Sequence, residues 1–429
     1  MRTKYETLSI EQAEEKLMML MATYKEQQAK NLKLDMSRGK PCPEQCDLSM
    51  EMYDVLHTTE DFYSRDGFDC RNYGILDGIP EAKEIFAELM GVDADEIFIG
   101  GNSSLNLMYD TMAKFMLKGG ANSEMPWSKE RKVKFLCPSP GYDRHFAICE
   151  AMGIEMVPIQ LNEDGPKMDI VEALVSCDET IRGIWCVPQY SNPTGITYSD
   201  EVVRRMANLD PAAPDFVVMW DNAYLMHHFE DENCEHALNI MEEAKKNGKE
   251  DMIFMFTSTS KISLPGSGLA VMAVSKHNAA YFKKEIATQT IGYDKINQLR
   301  HVKFFKNAEG IRNHMKKHSA IIEPKFKLTL EIMQDRLGDL EIGWWNEPKG
   351  GYFISFNSLP GCAKRIVQLC KDAGVTMTPA GVTYPYGRDP KDSNIRIAPS
   401  YPSLEELAVA IDIFTLCVKI ASLESMLGR

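Results

Sequence analysis

Lys261 closes the stretch Phe256-Thr257-Ser258-Thr259-Ser260-Lys261 and is followed by Leu264-Pro265-Gly266-Ser267-Gly268, so an amine ends an apolar run among hydroxyls and glycines. Such a lysine is either a solvated surface residue or a partly desolvated amine with a lowered pKa, the state suited to Schiff-base chemistry. Asp221 follows the apolar run Phe216-Val217-Val218-Met219-Trp220. An unpaired carboxylate there is costly, so Asp221 requires a cationic partner, and none lies beside it in sequence. Gly100-Gly101-Asn102-Ser103-Ser104 leads into a helix over Leu105–Leu117. Its glycines and hydroxyls either offer backbone N–H groups to a phosphate or simply cap the helix. In Pro138-Ser139-Pro140-Gly141-Tyr142-Asp143-Arg144-His145, Tyr142 can lie flat against an aromatic ligand or pack under its loop. Asn192-Pro193-Thr194-Gly195 is a turn in which the Asn192 amide can donate to a ligand oxygen.

These clusters share a position: each follows a short apolar run. The runs are Ile97–Ile99, Val133–Cys137, Ile154–Ile159, Ile184–Val187, Phe216–Trp220, Ile253–Phe256 and Leu269–Val274. They are continuous rather than alternating, the mark of strands buried on both faces. Helices between them imply a three-layer α/β/α domain around a mostly parallel seven-stranded sheet, with ligands at the carboxyl ends of the strands. Pro80–Met90 is expected as a helix, with proline just inside its start and Gly91 just past its end. An amphipathic helix opens the chain near Ile10–Lys30, and a long helical segment over Tyr281–Leu337 bridges two domains. Strands at Gly351–Phe356, Val375–Thr378 and Ile395–Ala398, with helices near Ala363–Ala373 and Leu404–Leu427, suggest a smaller α+β domain. The expected division is 1–50 as a helix and arm packing on the small domain, 51–300 as the large domain and 301–429 as the small one.

The 429 residues carry 48 basic and 62 acidic side chains, a net charge of −14 without a basic block, so nucleic acid is not an expected partner. No apolar run reaches the length of about 18 residues that spans a membrane, and the N-terminus lacks the pattern of a secretion signal. Eleven cysteines, an odd number with no CxxC pair, read as reduced thiols in a cytoplasm rather than a disulfide or zinc framework. His314 and His318, one helical turn apart, have no third ligand nearby and read as an exposed helix face, as does His227-His228. The 26 methionines read as core filling.

The chain resembles the fold-type I, pyridoxal-phosphate-dependent aminotransferases of the class I/II group, most closely a bacterial aspartate-aminotransferase-like subgroup. Gly39 in Ser37-Arg38-Gly39-Lys40-Pro41, Tyr73 in Asn-Tyr-Gly, the Asn192 turn, Asp221 with Tyr224, Ser258 with Lys261, and Arg396 in Asn394-Ile395-Arg396-Ile397 follow the family's order over about residues 35–400. The resemblance implies pyridoxal 5'-phosphate as cofactor, with Lys261 carrying it covalently and moving the reaction's proton. It implies that Asp221, oriented by His145, keeps the pyridine nitrogen protonated and that Asn192 and Tyr224 reach the phenolic oxygen. Tyr142 stacks on the ring, while Asn102, Ser103, Ser104, Ser258 and Ser260 hold the phosphate. Arg396 grips the substrate α-carboxylate, which the segment at Gly39 approaches closely, and Tyr73 reaches a phosphate in the neighbouring subunit of a homodimer.

One departure stands out: many relatives carry a phosphate-binding arginine shortly after the lysine, where this chain has Gly266-Ser267-Gly268. Ser258, Ser260 and Ser267 are expected to take over. An acidic donor such as aspartate needs a second cation besides Arg396, and Arg38, Arg71 and Arg144 are the candidates. The competing readings are a β-lyase or decarboxylase on the same scaffold and a non-catalytic ligand-sensing module. About 35 residues precede the first matched motif, too few for the DNA-binding domain that such a module carries.

Overall fold

The computed structural model describes residues 4–230, 232 and 234–429. All seven expected strands form one sheet, in the spatial order Ile97–Ile99, Ala270–Val274, Ile253–Ser258, Val217–Asp221, Ile181–Cys186, Lys134–Ser139 and Glu155–Asn162. A short eighth strand, Gly165–Pro166, folds back antiparallel on the last of these. The others pair in parallel, except that Ala270–Val274 runs against both its neighbours. The continuous apolar runs have a direct physical cause. Val218 and Trp220 face one hydrophobic cluster while Val217 and Met219 face another on the opposite side. Glu155–Asn162, near the edge, alternates between buried and exposed positions instead.

Helix ends follow local chemistry. Pro80–Met90 has proline in its first turn and Gly91 beyond its end at φ 64°, a left-handed conformation that glycine adopts without strain. The helix Ile10–Ala29 starts at a capping box between Ser9 and Gln12. The bridging segment is three helices, Lys276–Ile286, Lys295–Phe305 and Ala308–Leu337. The third ties two cores together: Ile311 and Met315 pack with Ile85, Ile262 and Phe305, whereas Ile322, Phe326, Met333 and Leu337 join the cluster of the C-terminal region. That cluster also takes in Tyr5, Leu17 and Tyr24 and the helix Leu404–Met426. Its three-stranded antiparallel sheet is Gly343–Trp345, Ile354–Ser358 and Asn394–Ile397. Leu34–Asp35 pairs separately with Val375–Thr376. Gly343–Trp345 was not anticipated, and Ile354–Ser358 starts later than the sequence pattern suggested because Gly350 and Gly351 are used for a close approach to Tyr190.

The histidine expectation is corrected. His314 and His318 are buried because the long helix is covered by the N-terminal segment on one side and by the loop after Ser258 on another, and His227 is buried against the rings of Tyr224 and Tyr352 and the Lys261 carbonyl. His314 Nε2 lies 3.0 Å from the carbonyl of Ile262 and 3.2 Å from Ser49 Oγ, and His318 Nε2 is 3.1 Å from His314 Nε2. Gln45 Nε2 donates to Tyr352 Oη at 2.9 Å and sits 2.9 Å from His318 Nδ1. Among the described residues no helix is long and apolar enough to cross a membrane, and no cluster of His, Cys, Asp and Glu could hold a metal ion.

Burial lowers the pKa of His301 and His314 to about 4 and that of His318 to about 3. These rings stay neutral in the folded state while the unfolded chain takes up protons near pH 6.5, so their contribution is complete above that pH and is lost as pH falls toward 4. The thermal midpoint is expected to fall between pH 7 and pH 5, and His318→Gln should flatten that dependence. An equal slope in variant and parent would show that these rings do not drive it.

Candidate active site

Asp221 is the last residue of Val217–Asp221 and pairs in register with Phe256 on the strand that leads to Lys261. The Asn222 N–H donates to the Phe256 carbonyl at 2.8 Å, which locks the two strand ends together. Asp221 is 3 % exposed. His145 Nε2 donates to its Oδ2 at 3.0 Å, and the imidazole is stacked on Trp185 at 4.3 Å with the planes 9° apart. Asp221 Oδ1 is buried with no hydrogen-bond partner.

Asp221 lines a cavity of about 380 Å³ at the carboxyl ends of the strands, within the range of small-ligand sites. Of the residues singled out in the sequence, Gly39, Ser103, Ser104, Tyr142, Asn192, Asp221, Tyr224, Ser258, Ser260, Lys261 and Arg396 all line it. Lys261 lies just past Ile253–Ser258, with its Nζ 5.1 Å from the ring centre of Tyr224 and 5.8 Å from that of Tyr352. Burial lowers the Lys261 pKa below the usual lysine range, and the charge of Asp221 opposes that effect. Burial also raises the Tyr142 phenol to about 12 and the Tyr224 phenol well above its ordinary value.

Ser103 precedes the helix Ser104–Leu117 but makes no capping bond through its side chain. The Asn106 N–H donates to the Ser103 carbonyl at 3.1 Å, so the first-turn amides that could meet an anion beside the cavity are those of Ser104 and Leu105. Ser258 Oγ donates to Ser260 Oγ at 3.2 Å, and Ser260 Oγ lies 3.3 Å from the Asn102 carbonyl. Asn102 does not line the cavity; its side chain donates to the Gly266 carbonyl at 3.4 Å. Ser267 also points elsewhere, to Tyr53 Oη at 3.1 Å, so the expected convergence of three serines reduces to Ser258 and Ser260.

Arg396, on Asn394–Ile397, is 8 % exposed; its Nη1 donates to Asn192 Oδ1 at 3.2 Å and to Asp143 Oδ1 at 3.0 Å. Its guanidinium lies 4.8 Å from the ring centre of Phe353. Arg38 and Arg144 line the cavity, whereas Arg71 is engaged by Asp69 through two hydrogen bonds and stands outside it. Tyr73 is 78 % exposed and lies outside the cavity of its own chain. Sequence reasoning missed Lys40, Asp143 and Phe353 as lining residues and Trp185 as the support of His145. Lys40 and Asp143 adjoin Gly39 and Tyr142 in sequence, a usable signal; Trp185 and Phe353 are recognisable only once the chain is folded.

The sequence model of the aspartate amino-transferase family matches residues 8–429. The chain belongs to the aspartate aminotransferase family. It is accordingly a pyridoxal-phosphate-dependent aminotransferase. It is 45% identical to the aspartate aminotransferase of Corynebacterium glutamicum over 94% of this chain and 92% of that one. A crystal structure of an aspartate transaminase from Corynebacterium glutamicum superposes with a TM-score of 0.95 at 42% identity, covering 99% of each chain. The fold extends to the α-aminoadipate aminotransferase of Thermus thermophilus, solved with N-(5'-phosphopyridoxyl)-L-leucine, at a TM-score of 0.73 and 18% identity over 92% of this chain and 93% of that one.

The cavity of this aminotransferase depends on one close backbone approach. A Cβ on Gly39 would lie 2.5 Å from Phe353 Cζ, in a ring that packs against the Arg396 guanidinium. Gly39→Ala should therefore destabilise by about 1–3 kcal/mol and weaken carboxylate binding. Gly266→Ala, with nothing within 4 Å of the added carbon, should do neither. Equal thermal midpoints for the two variants would show that the Phe353 ring has room to move.

Proposed function

We propose that this aminotransferase moves the amino group of an acidic L-amino acid, aspartate foremost, to a 2-oxo acid such as 2-oxoglutarate. The observation that carries the reading is the placement of Lys261 in the same cavity as Asp221, a carboxylate with one oxygen fixed by His145 and the other buried without a partner. Asp221 Oδ1 fits a protonated pyridine nitrogen, and the cofactor, when bound, supplies an electron sink to the substrate α-carbon.

The residues divide the work. Asp221 keeps the pyridine nitrogen protonated, with His145 holding it in place. Lys261 would hold the cofactor, and its amine would move the proton at the substrate α-carbon; its lowered pKa keeps more of the amine neutral and able to accept that proton. Tyr142 would lie against the ring, and Asn192 and Tyr224 would reach its phenolic oxygen. Ser103, Ser104, Ser258 and Ser260 bind the phosphate together with the helix amides, with Asn102 supporting their loop. Arg396 takes the α-carboxylate with Asn192, against the segment at Gly39.

Charge supports the acidic donor. Apart from Lys261, which is committed to the cofactor, Arg38, Lys40, Arg144 and Arg396 line the cavity with only two carboxylates, Asp143 and Asp221, a surplus of two positive charges. A phosphate group of about −1.5 to −2 takes up most of that surplus. A second carboxylate still has cations to meet besides Arg396, because Arg38, Lys40 and Arg144 line the same cavity. The Corynebacterium glutamicum relative, named an aspartate aminotransferase, supports the same donor.

The working unit in this proposal is a homodimer. Tyr73, Tyr109 and Ile291 are exposed at 78%, 47% and 61%, which supports a partner covering this face, with Tyr73 reaching the partner's phosphate site. The proposed division remains 1–50, 51–300 and 301–429; the packing of Tyr5, Leu17 and Tyr24 with the C-terminal core supports the first part. Eleven free cysteines, most of them buried, support a cytoplasmic location.

Purified protein should show a visible absorbance band that aspartate bleaches, and aspartate with 2-oxoglutarate should yield glutamate. Release of pyruvate or ammonia instead would overturn the donor and reaction together. Lys261→Ala should lose both the borohydride-reducible linkage and turnover, and persistent turnover would remove Lys261 from its role.

A further inference from the structure

The cavity expected to bind carboxylates contains a carboxylate of its own at the very place where they should bind. Asp143 opens the helix Asp143–Ala151, and its two oxygens point at two arginines. Oδ1 accepts from Arg396 Nη1 at 3.0 Å, and Oδ2 lies 3.9 Å from Arg144 Nε. The Arg396 side chain is 8% exposed and that of Asp143 29%, so the first contact is sheltered from water; Arg144, at 54%, reaches out to solvent and is free to swing. The same Nη1 already serves Asn192 Oδ1, and Arg396 Nε is buried without a partner. Asp143 is thus bound to one edge of a guanidinium whose capacity for acceptors exceeds what the protein supplies.

A substrate α-carboxylate brought to Arg396 places a second negative charge within a few ångströms of Asp143, and like charges at that separation repel strongly where water is scarce. Either Asp143 releases Arg396 or the substrate binds weakly. We propose that Asp143 is an internal competitor for substrate, bridging Arg396 and Arg144 in the free enzyme, and that Arg144 is the cation that reads the distal carboxylate of the substrate. This rests on the reading of Arg396 as the α-carboxylate residue.

The arrangement produces specificity as a difference of affinities. Every substrate must displace Asp143 from Arg396, so every substrate meets the same opposing term. A dicarboxylate recovers it by pairing with Arg144, which Asp143 otherwise engages only at long range. A monocarboxylate recovers nothing. Asp143 thereby holds down binding of neutral amino acids, while Arg144 restores it selectively for acidic ones. Arg38 and Lys40 also line the cavity, but Lys40 lies 3.8 Å from the ring centre of Tyr401 and neither adjoins Asp143 in an ion pair.

The test uses the holoenzyme and succinate, a dicarboxylate that has no amino group to transfer. Succinate binding is read by calorimetry and by its perturbation of the cofactor band. Asp143→Asn keeps the shape of the side chain at the helix start and removes its charge. It should bind succinate about fivefold more tightly than the parent, the scale of losing one partly exposed ion-pair competitor, and the KM for alanine should fall by a similar factor. Asp143→Ala should change both in the same direction, which covers a folding defect in either variant. Arg144→Met should weaken succinate by about tenfold or more while leaving the KM for alanine within about twofold. Unchanged or weaker succinate binding in both Asp143 variants would overturn the competitor and mark Asp143 as a positioning residue for Arg396. An unchanged ratio of aspartate to alanine in Arg144→Met would overturn the distal role of Arg144. Failure of the underlying reading looks different: Arg396→Lys would then leave α-carboxylate binding intact, whatever the Asp143 variants do.

Discussion

A carboxylate buried at the end of a parallel strand is the constraint around which this protein is arranged. Asp221 cannot keep its charge at 3 % exposure unless its surroundings supply hydrogen bonds or an opposite charge. Half of that requirement is met within the chain by His145, which Trp185 holds flat from behind. The other half is unmet within the chain, on a residue that lines the cavity. A buried carboxylate oxygen without a partner in its own chain is a binding requirement built into the native state, and the cofactor of this family has a ring nitrogen of suitable charge.

Lys261 shares that setting with the opposite sign. Burial works against its ammonium form while Asp221 works for it, so the amine is poised by two opposed effects rather than by burial alone. The loop around it is fixed independently of any ligand. His301 Nε2 lies 2.8 Å from Ser263 Oγ and 3.2 Å from Thr259 Oγ1, and Asn297 Nδ2 donates to the carbonyls of Ser267 and Gly268. The stretch from Gly266 to Gly268, where an arginine stands in many relatives, therefore has a clear structural duty. The helix Lys295–Phe305 pins its backbone through those two carbonyls, and Gly268 closes against the loop itself, where a Cβ would lie 2.9 Å from Thr259 Oγ1.

Much of this was legible from the amino-acid order, for identifiable reasons. The seven strands announced themselves because both faces of the sheet are covered, so burial erased the polar positions that would otherwise interrupt each run. Gly91 and Pro80 marked helix ends through backbone preferences that hold in any context. The site residues were legible because they cluster just after strands, where the topology must collect them. What was hidden depended on long-range packing. His314 and His318 have the spacing of an exposed helix face, and they are buried because the N-terminal segment and the loop after Ser258 pack over them. Trp185 reads as one more core residue inside a strand, and Asp143 as an ordinary acid in the first turn of a helix.

The reversed strand Ala270–Val274 in the large sheet has an effect on which changes the chain can tolerate. Ser258 faces Ala270 across the antiparallel pair, the Gly100 N–H donates to the Ala270 carbonyl, and Thr259 exchanges hydrogen bonds with Leu269 at 2.8 Å in both directions. The segment between Thr259 and Leu269 is consequently a tether of fixed span, closed at both ends by the ladder. Side chains within it can be exchanged, as the missing arginine illustrates. Adding or deleting a single residue would instead shift the pairing and turn Ala270–Val274 inside out, exchanging the inward and outward side chains of the strand that aligns Gly100 with the lysine loop.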